Sequence, residues 1–460
     1  MKPYLLADFG STFTKLTAVD LESADIIGTA KAITTVETNI IEGYRTALQR
    51  LEEVVGGRLP YEKILACSSA AGGLKMAAIG LVEELTTEAA KRVCLGAGAK
   101  VELVLSHHIT KSEVQEILDK KIDIILLAGG ANGGNRDCVV HNAMMLARSS
   151  ITAPIVFAGN KDATDEISEI LSASHKTYFL CENVMPRINV LNTESAKNTI
   201  KEIFVKNIIE AKGIKKVESM VDQVVFPTPH AVLMAAELLS RGYDDETGLG
   251  DLMVADVGGA TTDVYSMADG LPSQVNAILS GLEEPYAKHT VEGDIGMRYS
   301  ALGALQTMTH SERHHYDKQH IDIALECEMR AKQIDFIASS GHDYLVDNII
   351  AAKCVDAATS RHVGTLKGVY TPMGMMYHQT GKDLTQVTHF IGTGGVVISS
   401  NDPRMVLRSG THDENKPFEL RPFNPDFLLD KDYIMSAMGL LSLDYPEIAL
   451  KIMKKRIVKI

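Results

Sequence analysis

Ala7-Asp8-Phe9-Gly10-Ser11-Thr12-Phe13-Thr14-Lys15-Leu16 near the start of the chain aligns without a gap with Ala255-Asp256-Val257-Gly258-Gly259-Ala260-Thr261-Thr262-Asp263-Val264 past its middle. Ala, Asp, Gly and Thr recur at the same offsets, with apolar residues on both flanks. An internal repeat of this kind argues for two related units in one chain. In each copy an apolar strand carries Asp to the edge of a core. Gly then permits a tight bend and close backbone approach, and hydroxyl groups follow. That order suits a nucleotide phosphate. Asp8 and Asp256 can hold a hydrated Mg2+, a hard cation that keeps several waters. Backbone N–H groups at Gly10, Gly258 and Gly259 can point at phosphate oxygens. Ser11, Thr12, Thr261 and Thr262 add hydroxyl donors, and Lys15 adds positive charge. Asp263 offers a carboxylate able to orient a water or assist the metal, which makes Asp8, Asp256 and Asp263 the catalytic candidates. Either stretch alone would pass for an ordinary hairpin with a Gly turn, so the shared frame is what argues for chemistry. No G-x-x-x-x-G-K-[ST] occurs, so the loops are not of the Walker type. A third stretch, Phe390-Ile391-Gly392-Thr393-Gly394-Gly395-Val396-Val397, runs from a strand into a Gly turn. Gly392, Gly394 and Gly395 would let an adenosine ring lie against the backbone.

Outward from these loops, strands and helices alternate. Helical spacing covers 40–54, 81–95, 111–119, 137–148, 163–171, 194–209 and 231–239. Short apolar strands are expected at 64–67, 101–105, 122–128, 155–158 and 177–180, and again at 252–256, 262–267 and 387–392. The alternation predicts an α/β chain. The polar, Gly-containing link 242–251 is the expected boundary between its halves. Residues 431–455 read as one or two helices, and the closing Lys454, Lys455, Arg456 and Lys459 as a solvated basic tail.

Composition bounds the possibilities. At 460 residues the chain exceeds one ordinary core, and 45% hydrophobic with 23% charged residues is a globular balance. A net charge of −13 argues against a broad nucleic-acid surface. Six scattered cysteines form no C-x-x-C pair, which fits reduced thiols in a cytoplasm and carries no zinc or iron–sulfur signature. No secretory signal or membrane-length apolar run is apparent, so a cytoplasmic protein without membrane or nucleic-acid partners is expected. His314, His315, His320 and Asp317 match no metal-ligand spacing and read as a solvated helix face. No D-x-H-x-x-G cobalamin motif occurs.

The order of Asp8 loop, Asp256 loop and Gly394-Gly395 turn resembles the actin, Hsp70 and sugar-kinase superfamily. Ile124 to Gly134 is similar to that superfamily's first connecting segment, and Ala437-Met438-Gly439-Leu440 to its second. The resemblance implies two ribonuclease-H-like domains facing a nucleotide cleft that holds ATP or ADP and Mg2+. Residues 1–245 would form the first domain with phosphate loop 1. Residues 246–430 would form the second, with phosphate loop 2 and the adenosine turn. Residues 431–460 would be helices packing back on the first. Asp256-Val257-Gly258-Gly259-Ala260-Thr261-Thr262-Asp263 is especially similar to the second phosphate motif of Hsp70 and bacterial cell-division actins, with Ala260 in place of a third Gly.

Glu284-Pro285-Tyr286-Ala287-Lys288, Thr290-Val291-Glu292-Gly293-Asp294-Ile295-Gly296-Met297-Arg298 and Met438-Gly439-Leu440-Leu441-Ser442 resemble the MutL accessory family of adenosylcobalamin-dependent glutamate (methylaspartate) mutase. The resemblance implies a weak ATPase that serves as a reactivating chaperone, opening a mutase so that damaged cobalamin leaves. By residue type alone, Glu292, Asp294 and Arg298 make a polar turn with a local ion pair or a partner contact. A small-molecule kinase and an actin-like assembly protein are the competing expectations.

Overall fold

The computed structural model describes residues 2–10, 12–34, 40–68, 75–97, 99–211, 221–372 and 374–460. The chain forms two compact units, Met1–Gly72 with Lys216–Ile460, and Gly73–Lys215.

In the first unit, β1 (Pro3–Phe9), β2 (Phe13–Asp20) and β3 (Asp25–Ile33) run antiparallel, and β4 (Lys63–Ser68) and β10 (Gln223–Pro227) continue the sheet parallel to β1. The order is β10-β4-β1-β2-β3. A second sheet repeats this path with β13 (Leu252–Val257), β14 (Thr262–Met267), β16 (Ala287–Glu292), β19 (His389–Thr393) and β20 (Asp426–Leu429). Its first three strands are antiparallel, β19 and β20 lie parallel to β13, and β21 (Val458–Lys459) closes the edge. Numbered within itself, each sheet begins 3-2-1-4-5. Two sheets with one connectivity are the duplicated ribonuclease-H-like architecture of actin-like ATPases. The smaller pieces are a hairpin, β11 (Gly242–Tyr243) with β12 (Glu246–Thr247), and a sheet of β15 (Ala277–Leu279), β17 (Thr365–Thr371) and β18 (Gly374–Thr380).

Every residue of β1 is buried, because helices cover both of its faces. On one, Phe9 meets Tyr44 of the helix Ile40–Val55 at 5.8 Å between ring centroids. On the other lie the helices Thr228–Arg241, Met435–Leu441 and Pro446–Arg456. Tyr4, Leu6 and Leu65 from the first sheet share one core with Ala235, Met438 and Leu450 from these helices and with Val254, Tyr265 and Ile391 from the second. Two of the helices cross at Gly439, where a Cβ would fall 1.8 Å from the Ala231 carbonyl oxygen. The partner of 435–441 is therefore the helix 228–241. The segment 124–134, expected in that position, lies elsewhere.

It lies in the second unit. There β5 (Lys75–Gly80), β6 (Lys100–Ser106), β7 (Ile124–Leu127), β8 (Ile155–Phe157) and β9 (Tyr178–Leu180) form a wholly parallel sheet in the order β6-β5-β7-β8-β9. Read as 2-1-3-4-5, this is a doubly wound α/β unit. Ala77, Ile79, Leu105, Ile125, Leu127, Val139 and Phe157 build its separate core. The division expected at 245/246 therefore runs between two sheets of one compact unit. The stretch 73–215 is a unit of its own, and among the described residues its five strands pair with each other and with no other strand.

Candidate functional site

The two repeat stretches form hairpins of equivalent register. Asp8 pairs across β1–β2 with Lys15, and Asp256 pairs across β13–β14 with Asp263. The bend is the same in both. Gly10 N–H donates to the Phe13 carbonyl at 3.1 Å and Gly258 N–H to the Thr261 carbonyl at 2.9 Å. A Cβ on Gly10 would lie 2.6 Å from the Phe13 carbonyl oxygen, and one on Gly258 would lie 2.9 Å from that of Thr261. The shared glycine thus closes the turn, and the N–H groups of Gly10 and Gly258, expected to face phosphate, are used within their own hairpins instead. The loops also meet, since a Cβ on Gly259 would stand 3.3 Å from Thr12 Oγ1. Ser11 lies outside the described residues.

Asp8 is buried and well supplied with donors. Thr228 Oγ1 donates to its Oδ1 at 2.6 Å and Ser436 Oγ to its Oδ2 at 3.1 Å. Lys15 Nζ sits 3.4 Å from the same Oδ2, and Cys67 Sγ is 3.7 Å from Oδ1. Burial pushes the Cys67 thiol far up, so it stays protonated and inert. Lys15 Nζ also rests 3.4 Å from the centroid of the Tyr433 ring. Burial would lower the Lys15 ammonium, but Tyr433, Asp8 and Asp256 outweigh it and hold it above its ordinary value.

Asp256 is the opposite case. Its Oδ1 is enclosed and has no hydrogen-bond partner among the described residues. Burial, reinforced by Asp263, Asp8 and Asp430 and opposed by Lys15, pushes its carboxyl up to about 7. Asp263 is engaged on both oxygens, by Thr261 Oγ1 at 2.8 Å and by His289 Nε2 at 2.8 Å. His289 is buried and stacks on Tyr265 at 4.4 Å. Asp430 accepts from Ile434 N–H, Met435 N–H and Thr393 Oγ1 at 2.9, 3.2 and 3.0 Å, and burial raises its carboxyl too. Asp8, Asp256 and Asp430 thus share one lysine, and Asp256 Oδ1 is left unanswered among the described residues. A carboxylate cluster of that kind attracts positive charge. Among the described residues, no group of three or more His, Cys, Asp or Glu is arranged to grip a metal directly. Asp8 and Asp256 are the carboxylates that could hold a metal through water.

The remaining candidates divide. Thr262 is buried and donates to the Ile295 carbonyl at 3.2 Å, so its hydroxyl belongs to the core. Gly394, at φ +98°, lets its turn press on the Asp256 hairpin, since a Cβ would lie 2.4 Å from the Val257 carbonyl oxygen. A Cβ on Gly392 would meet Val397 and Leu407 side chains at 2.9 and 3.0 Å, so that glycine makes room for helices. Only Gly395 of the three faces open space. Arg298 is buried, bonded through Nη2 to Asp347 at 3.2 Å, while its N–H donates to the Gly259 carbonyl at 2.8 Å. Glu292 and Asp294 pair instead with Arg361. The helix His310–Lys318 buries no residue.

Thr228, Ser436, Asp430, Tyr433 and His289 join the site without a signal in the sequence. Only Pro227 and Pro229, which open the helix carrying Thr228, mark a place where a hydroxyl could be aimed.

A family model described as MutL protein matches residues 4–457. Protein MutL of Clostridium tetanomorphum is 50% identical over 462 residues, covering 100% of both chains. Among solved structures, gluconate kinase from Lactobacillus acidophilus aligns over 100% of this chain and 92% of its own, at 10% identity and a TM-score of 0.36. A glycerol dehydratase reactivase aligns over 96% and 99%, at 10% identity and a TM-score of 0.36. No helix among the described residues is long and apolar enough to cross a membrane.

Proposed function

This chain belongs to the MutL protein family, and from that premise we propose that it binds MgATP and MgADP between its paired phosphate loops. It would act as a weak ATPase that reactivates an adenosylcobalamin-dependent glutamate mutase. The observation that carries the nucleotide reading is the unpartnered Asp256 Oδ1 in a ring of carboxylates, beside two hairpins of one register. Asp256 and Asp8 would hold Mg2+ through water. Mg2+ supplies neutralisation of the phosphate charge. Lys15, Thr12 and the Gly10 and Gly258-Gly259 turns would hold phosphate, Gly394 and Gly395 would flank the adenosine, and Asp263 would orient a water. Ser11 and Thr261 would add hydroxyls at the loop tips. Closure on ATP and relaxation on ADP would drive the mutase open and release damaged cobalamin.

The test uses glutamate mutase inactivated by loss of its adenosyl group. The chain with MgATP and fresh adenosylcobalamin is expected to restore turnover. Absence of recovery overturns the reactivase role. Absence of MgATP binding by calorimetry overturns the nucleotide role itself.

A further inference from the structure

We infer that Tyr433 is a positioning residue for phosphate, holding Lys15 in a binding pose through the face of its ring; the inference rests on the nucleotide reading above. Tyr433 is one of the few non-glycine residues with positive φ, at +55°. A bulky side chain adopts that conformation only where its surroundings enforce it. Here they do. Tyr433 N–H donates to the Asp430 carbonyl at 3.0 Å, and the Asp430 carboxylate takes the next two N–H groups, those of Ile434 and Met435. Asp430 is itself tied to the second sheet by Thr393 Oγ1 and by its own N–H to the Gly392 carbonyl. Three residues beyond Tyr433, Ser436 reaches Asp8. The segment 430–436 thus clasps the Gly turn of one sheet to the phosphate loop of the other.

The strained residue presents its ring to Lys15 Nζ at 3.4 Å. Without the ring, the ammonium would have Asp8 as its near partner, at 3.4 Å and able to close further. A lysine collapsed onto Asp8 is withdrawn from phosphate. The ring supplies a competing attraction that leaves the N–H donors available, as cation–π contacts do. Its contribution to binding is preorganisation of the lysine, so it should appear in phosphate affinity and not in adenosine affinity.

The test is calorimetry with MgATP and with adenosine on Tyr433→Gly, Tyr433→Phe and Lys15→Met. Glycine relieves the positive φ but removes the ring's packing, so Y433G should stay folded, by circular dichroism, with a lower melting point than the native chain. It should bind MgATP about threefold to tenfold more weakly, with adenosine unaffected. Y433F, which keeps the ring face, should bind like the native chain. In the K15M background, Y433G should add nothing. Native MgATP affinity in Y433G, equal weakening for adenosine, or an undiminished effect in K15M overturns the role. Failure of the native chain to bind MgATP overturns the nucleotide reading instead.

Discussion

Asp256→Asn should make the nucleotide-free protein no less stable while weakening MgATP binding, and the structure supplies both signs. Asp256 Oδ1 is enclosed and has no partner among the described residues, and Asp263, Asp8 and Asp430 all repel its charge against one attracting lysine. Asparagine keeps the shape and removes the charge. Leaving a buried polar group unsatisfied costs about 1–3 kcal/mol, and more when it is ionised. The side chain is only partly enclosed as a whole, so a gain of ~1–2 kcal/mol is the expected scale at pH 8. Binding should move the other way, because the carboxylate that would face Mg2+ is gone. At least a tenfold rise in Kd, about 1.4 kcal/mol, is expected. Thermal or urea unfolding with and without MgATP reads both in one experiment, since a ligand that binds only the folded state stabilises it in proportion to its affinity. A variant destabilised by more than ~1 kcal/mol without nucleotide would refute the account of the unanswered charge. An unchanged nucleotide-induced shift would refute Asp256 as the metal-facing group.

Two further substitutions test the scaffold behind the second loop. Asp347 accepts from Arg330 Nε at 2.6 Å and Arg298 Nη2 at 3.2 Å, and Arg330 is wholly buried. Asp347→Ala removes the carboxylate that the two guanidiniums share, leaving Arg330 to Glu326 and Arg298 to the Phe336 and Met297 carbonyls, and should cost about 1.5–3 kcal/mol by urea denaturation, partly recovered when Arg330→Met is added; a loss under ~1 kcal/mol would show that the network is not structural. Lys382 is fully buried, with Nζ donating to the Pro285 and Tyr286 carbonyls at 3.0 and 2.7 Å. Burial, with Lys288 adding to it against Glu284, Asp251 and Asp269, pushes its ammonium down to about 7. Between pH 7 and 10 the unfolded chain therefore holds a proton that the folded chain lacks, so this group makes stability rise with pH, by up to ~1 kcal/mol per unit. The stability of the native chain relative to Lys382→Met should climb from pH 7 to pH 9, and a flat difference would dismiss the shift.

What could be read from the residues alone follows from how each part of the site is encoded. The hairpins are contiguous, and their repeat in one frame exposes the Asp8–Lys15 and Asp256–Asp263 pairings that the sheets then display. β14 is legible at its exact limits because Thr262–Met267 is rich in residues that suit a pleated core. β5 escapes notice, since Met76, Ala77 and Ala78 carry little strand preference. Without β5 the sheet of 75–180 has no first strand, and β7 with its glycines is drawn toward the wrong unit. Gly392 shows a different limit. A glycine advertises permission for close approach, but only packing tells whether a ligand or Leu407 takes the space. Tyr433 is the hardest to read. Nothing in Asp430-Lys431-Asp432-Tyr433 announces a left-handed tyrosine, because the conformation is imposed by Asp430 and by Thr393, which lies 37 positions from Asp430. Strain enforced across such a distance has no local sequence pattern, so it becomes visible only once the two sheets are in place.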